Sequence, residues 1–180
     1  LQIKSIAQTT NNIPFNSPII TVTPEPLPSD YSINALNGNR NFIREYLARF
    51  PEQNGALINL NSPSSHVVCK TSYFDGIGRN LQTITKGFVG NSDLVRVYTY
   101  DETGKETLTY LPYASNTNNG MLKYDAYSAL NNFYNSNYFL GMGNYFNDKI
   151  RYSKQFTDQS PLNRVVKSMI PGNAYAGSDI

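Results

Sequence analysis

The sequence predicts a mainly β fold, an antiparallel meander of hairpins that carries one short helical insertion. The first observation behind this is an internal repeat. Tyr73-Phe74-Asp75-Gly76-Ile77-Gly78-Arg79 and Tyr100-Asp101-Glu102-Thr103-Gly104-Lys105 both read aromatic, Asp, two residues, Gly, base. The second is that apolar and Thr-rich residues alternate on either side of each copy, the period of a half-buried strand. A third, weaker copy starts at Phe156-Thr157-Asp158-Gln159-Ser160-Pro161 and continues into Leu162-Asn163-Arg164-Val165-Val166. A repeated supersecondary unit implies copies that cover one another's apolar faces.

Each repeat names its own turn. Aspartate at the first position of a type I turn accepts backbone N–H bonds, and glycine three residues later takes the positive φ that other residues resist. Asp75 with Gly78, and Asp101 with Gly104, fit that template. Asp158 puts Pro161 at the glycine position, so the third turn is expected to differ in backbone although Ser160-Pro161 still marks a turn.

Taken in order, residues 1 to about 40 form a lead-in punctuated by Pro14, Pro18, Pro24, Pro26 and Pro28. Proline removes a ladder donor, which limits pieces such as Ile19-Ile20-Thr21-Val22-Thr23 to an edge strand or extended linker. Asn41 to Phe50 is ambiguous. As a strand it aligns Phe42, Arg44, Tyr46, Ala48 and Phe50; as a helix it makes a stripe of Phe42, Ile43, Tyr46, Leu47 and Phe50, which periodicity slightly favours. From 66 to 113 alternation is nearly continuous. His66 to Phe74 should pair with Leu81 to Thr85, Gly87 to Gly90 should loop, and Val95 to Tyr100 should pair with Glu106 to Tyr110.

Asp101 and Asp158 lie about twice as far apart as Asp75 and Asp101, so residues 114–149 read as an insertion. It opens on Ser115-Asn116-Thr117-Asn118-Asn119-Gly120, whose amides, rather than converging carboxylates, indicate a solvated turn and not a calcium loop. Asp125 is then placed to cap a helix with Ala126, Leu130 and Phe133 on its apolar face and Tyr127 and Tyr134 beside it.

Composition narrows the function classes. The 180 residues suit one domain with a sizeable core, the net charge is +2, and the bases are scattered singly rather than in a stripe, which argues against nucleic acid. Cys69 and His66 are each the only residue of their type, so neither an internal disulfide nor a Cys/His zinc cluster can form. Strand alternation puts the two on opposite faces, and Cys69 reads as a small buried apolar group rather than a nucleophile. No apolar run approaches the roughly 20 residues of a membrane span. No metal or other cofactor is expected. Leu1-Gln2-Ile3-Lys4 does not open a signal peptide, so the chain is either cytoplasmic or a piece with upstream sequence removed; the unfinished ending Pro171 to Ile180 favours the latter.

The segments Tyr73 to Arg79 with Leu81-Gln82-Thr83, and Tyr98 to Asp101 with Gly104-Lys105, resemble the YD repeats of bacterial Rhs proteins and of their animal relatives, the teneurins. The run from Asn41 to Gly172 more closely resembles a domain of unknown function found at the N-terminal side of Rhs-type proteins of some Gram-negative bacteria. The matching pieces are Asn41-Phe42-Ile43-Arg44, the Tyr73 to Arg79 turn, Tyr110-Leu111-Pro112-Tyr113, Asn132-Phe133-Tyr134 and Ser160 to Val165. This resemblance tips Asn41 to Phe50 to a strand. It implies a β-sheet that spirals into a shell around a variable C-terminal segment, often a toxin, in an exported or surface-displayed protein. Too few repeats stand here to wrap a cavity, and the self-cleaving core region and toxin module of the family are missing from this sequence.

The expected role is therefore structural and non-enzymatic: the N-terminal part of such a shell, extracellular or on the outer cell surface, with the remainder of its own YD-repeat chain as partner. Asp75, Gly78, Asp101, Gly104, Asp158 and Pro161 would form turns, and Arg79 and Lys105 would sit charged on exposed shoulders. The alternative is glycan binding through Tyr98, Tyr100, Tyr110 and Tyr113, with Tyr124, Tyr127, Tyr134 and Tyr138 further along, although tyrosine also suits a half-buried sheet for its own sake. A hydrolase using Asp75, Asp101 and Asp158 is disfavoured, because equivalent turn aspartates stay ionised whereas a glycosidase needs one carboxyl with a raised pKa. The lead-in is expected to cover one sheet edge and leave the other open to an edge-to-edge dimer. Carbohydrate or another surface protein is the other kind of partner expected.

Overall fold

The computed structural model describes residues 24–31, 40–51, 54–136, 149–158, 160 and 162–172. The expected edge strand at Ile19 to Thr23, the turn residue Pro161, Tyr138 and residues 173–180 lie outside them.

The fold is mainly β, as two antiparallel sheets and one α-helix among the described residues. The strands are β1 Asn41–Ala48, β2 Val67–Phe74, β3 Asn80–Val89, β4 Ser92–Val97, β5 Leu108–Tyr110, β6 Tyr113–Ala114, β7 Tyr152–Thr157 and β8 Val165–Met169, with helix α1 at Ala126–Asn135. The larger sheet runs in the order β1-β2-β3-β4-β6 and the smaller in the order β5-β7-β8. Asn41 to Ala48 is thus a strand, paired without a slip along β2 from Asn41↔Phe74 to Ala48↔Val67. Its β-branched and aromatic residues are compatible with a strand, and the long partner β2 decides against the helical stripe.

The first hairpin, β2 with β3, forms as its turn dictates. Two expectations need correcting. Gly87 to Gly90 is not a loop, because β3 continues to Val89; Gly87, at φ 57°, sits where the ladder slips between Thr85 and Val89, and its N–H goes to the Asp93 side chain of β4 instead of to that strand's backbone. The pairing of Val95–Tyr100 with Glu106–Tyr110 shrinks to one bridge, Tyr98↔Thr109, and β5 finds its longer partner in β7. Across Leu111 and Pro112 the chain then returns to β4 as β6, pairing Leu94 with Ala114 and Val95 with Tyr113. Residues 108–114 therefore act as one strand alongside β4, interrupted where Pro112 lacks a donor, and the first half of that strand also carries the second sheet. The bridge joins the sheets, so the hairpins β2-β3, β4-β5 and β7-β8 follow one another across the molecule.

The core lies under one face of these strands. Tyr73, Ile84, Val95, Val97, Tyr110 and Tyr113 of the strands meet Ala126, Tyr127 and Leu130 of α1, with Ile150 and Tyr152 closing the far side. The helix follows its apolar stripe, but its cap does not follow the sequence. Asp125 makes no side-chain capping bond. The N–H groups of Tyr127 and Ser128 donate instead to Asp30 Oδ1, at 2.8 and 3.1 Å. Asp30 belongs to the proline-rich lead-in, which is pinned further by Tyr31 N–H to Tyr124 O, by Glu25 N–H to the Tyr152 hydroxyl, and by the Glu25–Lys154 ion pair. The described part of the lead-in accordingly docks on α1 and β7. The edge strand β1 leaves Phe42, Ile43 and Leu47 more than half exposed.

Candidate functional site

The repeated turns are the most regular feature of the molecule. In the first, Asp75 Oδ1 accepts the N–H groups of Ile77 and Arg79 at 3.0 and 2.8 Å, and Oδ2 accepts Arg79 Nε at 2.7 Å. Two main-chain bonds close the loop, Asp75 N–H to Arg79 O and Gly78 N–H to Asp75 O. The second turn repeats this with Asp101 Oδ1 accepting from Thr103 N, Thr103 Oγ1 and Lys105 N, while the main chain pairs Asp101 N–H with Lys105 O and Gly104 N–H with Asp101 O. Gly78 and Gly104 stand at φ 86° and 82°, as the template requires.

The third turn keeps the roles and changes the length. Asp158 Oδ1 accepts from Ser160 N, Ser160 Oγ and Arg164 N, and Oδ2 accepts Arg164 Nε at 3.2 Å. Its main-chain closure joins Asp158 N–H to Arg164 O, so the turn spans two residues more than the others. The residue before the base again has positive φ, and here it is Asn163 at 47°. Counting from the aspartate puts Pro161 opposite the glycines; counting back from the base puts Asn163 there, and asparagine tolerates this region better than most residues. In the first and third hairpins the register then slips by one residue beside the turn, at Tyr73/Phe74 and at Phe156/Thr157.

Neighbouring turns touch. The guanidinium of Arg79 lies 4.6 Å from the ring centroid of Tyr100, and a Cβ built on Gly104 would come within 3.3 Å of Arg79 Nη1. Arg79 is thus a strut between the first two turns as well as a charge on a shoulder. All three carboxyls sit below the ordinary aspartate value. For Asp75 partial burial pushes upward, but the side-chain and backbone bonds from Arg79, with that from Ile77, outweigh it. For Asp101 the leading cause is the Lys105 N–H, and for Asp158 the Ser160 hydroxyl. A general acid requires the opposite shift.

The tyrosines proposed for glycan contact are committed elsewhere. Tyr110 and Tyr113 are 2% and 1% exposed, which withdraws both rings from any surface ligand; burial pushes the Tyr110 hydroxyl up to about 12. Tyr98 and Tyr100 remain half-buried, but Arg96 and Arg79 each cover a ring face. Tyr127 is also in the core, and Tyr134 donates its hydroxyl to Pro112 O beneath the Arg151 guanidinium. Cys69 is buried, and burial raises its thiol pKa, as befits an apolar filler; His66 precedes β2, is exposed and stacks edge-on to Phe50. Among the described residues no group of three His, Cys, Asp or Glu is placed to hold a metal ion.

Sequence reasoning missed a second polar cluster. Asp93, wholly buried on β4, accepts Gly87 N–H at Oδ1, and at Oδ2 the N–H groups of Asn119 and Gly120 together with Lys123 Nζ at 2.7 Å. Lys123 Nζ also donates to Thr117 Oγ1 and Asn119 Oδ1, and the Lys123 peptide is clamped by both ends of the buried Gln82 amide. The loop expected to be a solvated turn is therefore anchored at both ends, with Ser115 and Gly120 buried and Asn116 and Asn119 exposed. Every oxygen and proton of the Asp93–Lys123 pair that the core removes from water is given a partner, the pattern of a structural pair. A lone Asp in strand β4 and a lone Lys in the insertion carry no local spacing that would have revealed it.

One family model matches: that of a Domain of unknown function (DUF6443), over residues 48–179. No curated protein and no solved structure matches the chain.

Proposed function

The chain belongs to the DUF6443 family, and from that premise we propose that this domain is a non-enzymatic structural module of a secreted or cell-surface Rhs/YD-repeat protein, forming the N-terminal part of its β-sheet shell. The observation that carries this reading is the threefold recurrence of one turn: aspartate bonded to the N–H of the following base, a positive φ just before that base, and closure by the aspartate's own N–H. Turns of this kind are self-contained, since each carboxylate is satisfied within its own loop, so such hairpins can be added in series without a new core contact for each turn. Further support comes from the edges. Among the described residues β1 and β8 end the two sheets, and Val165, Val166 and Ile170 on and beside β8 are more than half exposed, as a strand awaiting a neighbour would be.

The test is the parent gene. The reading expects tandem Tyr-Asp hairpin sequences downstream of Ile180, and a protein extended through the first of these should protect β8 amides from hydrogen exchange. An unrelated downstream domain, or β8 amides that exchange equally fast in the extended protein, would refute it.

A further inference from the structure

Even-numbered residues of β1 share a face with the buried Thr71 and Tyr73 of β2, through the pairs Phe42↔Tyr73 and Arg44↔Thr71. The core does not reach that far, and what remains is an open cleft of about 210 Å³ lined by Arg40, Phe42, Arg44, Tyr73, Tyr124 and Met121, among others. Its aromatic wall is preformed, with the half-exposed Phe42 ring 5.7 Å from that of Tyr73. Its charge is positioned too. Arg44 Nε donates to Thr71 Oγ1 at 2.8 Å, which fixes the side chain with its guanidinium 4.9 Å from the Phe42 centroid. The further contact of Arg44 Nη2 is a long one, 3.7 Å to Met121 Sδ, so most of its five N–H groups have no oxygen acceptor from the described residues. Arg40 makes no hydrogen bond or ion pair to them. None of the described lining residues is acidic, and Glu45 is on the opposite face of β1, paired with Lys70.

We propose that this cleft binds the carboxylate-bearing ring of an acidic polysaccharide, a hexuronate. Two guanidiniums without a counter-charge among the described residues call for an anion, and the fork geometry of arginine suits a carboxylate. Phe42, half exposed with Arg44 over one face of its ring, calls for an apolar face on the same ligand, which the C–H face of a sugar supplies and a bare phosphate or sulfate does not. Size points the same way, because the cleft is smaller than the roughly 300–1,000 Å³ of sites that enclose a whole small molecule. One sugar unit fits, and the open ends let its neighbours run out along the surface. The site is distinct from the four tyrosines weighed above and does not depend on the shell reading.

Calorimetry of the full chain with polygalacturonate oligosaccharides, against cellohexaose and polyglutamate, tests it. Polygalacturonate should bind, and cellohexaose and polyglutamate should bind at least tenfold more weakly. Arg40→Ala and Phe42→Ala, each checked for an unchanged circular dichroism spectrum, should each weaken uronate binding by about tenfold, the loss of one good contact. Absence of uronate binding overturns the proposal. So does equal binding of polyglutamate with no effect of Phe42→Ala, which would mean simple charge attraction, or equal binding of cellohexaose with no effect of Arg40→Ala.

Discussion

Asp101 gathers the N–H groups of Thr103 and Lys105 from within its own turn, whereas Asp93 gathers those of Gly87, Asn119 and Gly120 from two separate segments and adds the ammonium of Lys123. Both are carboxylates that organise a loop through backbone donors. They differ in where the donors come from and in how much water is left. The turn aspartate is exposed and closes a loop that its neighbours in sequence already favour, so losing it leaves water as a substitute. The strand aspartate is fully buried and holds an insertion loop against the sheet, so losing it strands the buried Gly120 N–H and Lys123 ammonium.

The comparison breaks most sharply at Lys123. Lys123→Met removes the ammonium and leaves Asp93 buried without its counter-charge, and should cost about 3 to 5 kcal/mol in urea denaturation. A loss below about 1 kcal/mol would mean that the three backbone donors suffice for the carboxylate.

The cap should come next. Asp30→Ala removes the acceptor for two N–H groups of α1 and is expected to cost about 0.5 to 2 kcal/mol. Asp125→Ala should change little, since Asp125 makes no capping bond, and a larger effect at Asp125 than at Asp30 would reverse the assignment.

Backbone conformation separates the turns themselves. Gly104→Ala should destabilise by about 1 kcal/mol or more, because φ is 82° and the added Cβ approaches Arg79. Asn163→Gly should be neutral or slightly stabilising by thermal melting if Asn163 fills the glycine role of the third turn. A clear loss would show that the asparagine side chain is needed for more than its tolerance of positive φ.

The smallest effect concerns acid. The carboxyls of Asp75, Asp101 and Asp158 lie lower folded than unfolded, so their contribution is complete above the unfolded aspartate pKa of about 3.9 and disappears as pH falls through the lower folded values. Carboxyl titration by NMR should find all three midpoints below that value. A midpoint above it at any of the three would remove that turn from the set.

What was legible in the sequence follows the same division. Asp75-Gly78 and Asp101-Gly104 could be read because the donor, the acceptor and the glycine lie within one five-residue window. The third turn blurred because its two extra residues shift the positive-φ position away from a fixed count. The pairing of β5 with β7 was hidden because the partner strand lies beyond the insertion, and alternation says which face a strand buries but not which neighbour it takes. Asp30 was overlooked for a similar reason. Asp125 stands in the expected capping position, and nothing nearby says that a carboxylate from the lead-in will occupy its place.

That cap also bears on the order of events. Asp30 meets Tyr127 across 97 positions of chain, and Glu25 meets Tyr152 across 127. The lead-in leaves the ribosome before the rest of the domain, yet its docking surface is complete only after β7 has been made, so it must wait through most of the synthesis of the domain. Contacts of such long range are slow to close and follow the local hairpins. Refolding should therefore end in a slower phase that reports on the lead-in alone, and Asp30→Ala should diminish that phase while leaving the faster one, the formation of the hairpins, at its original rate.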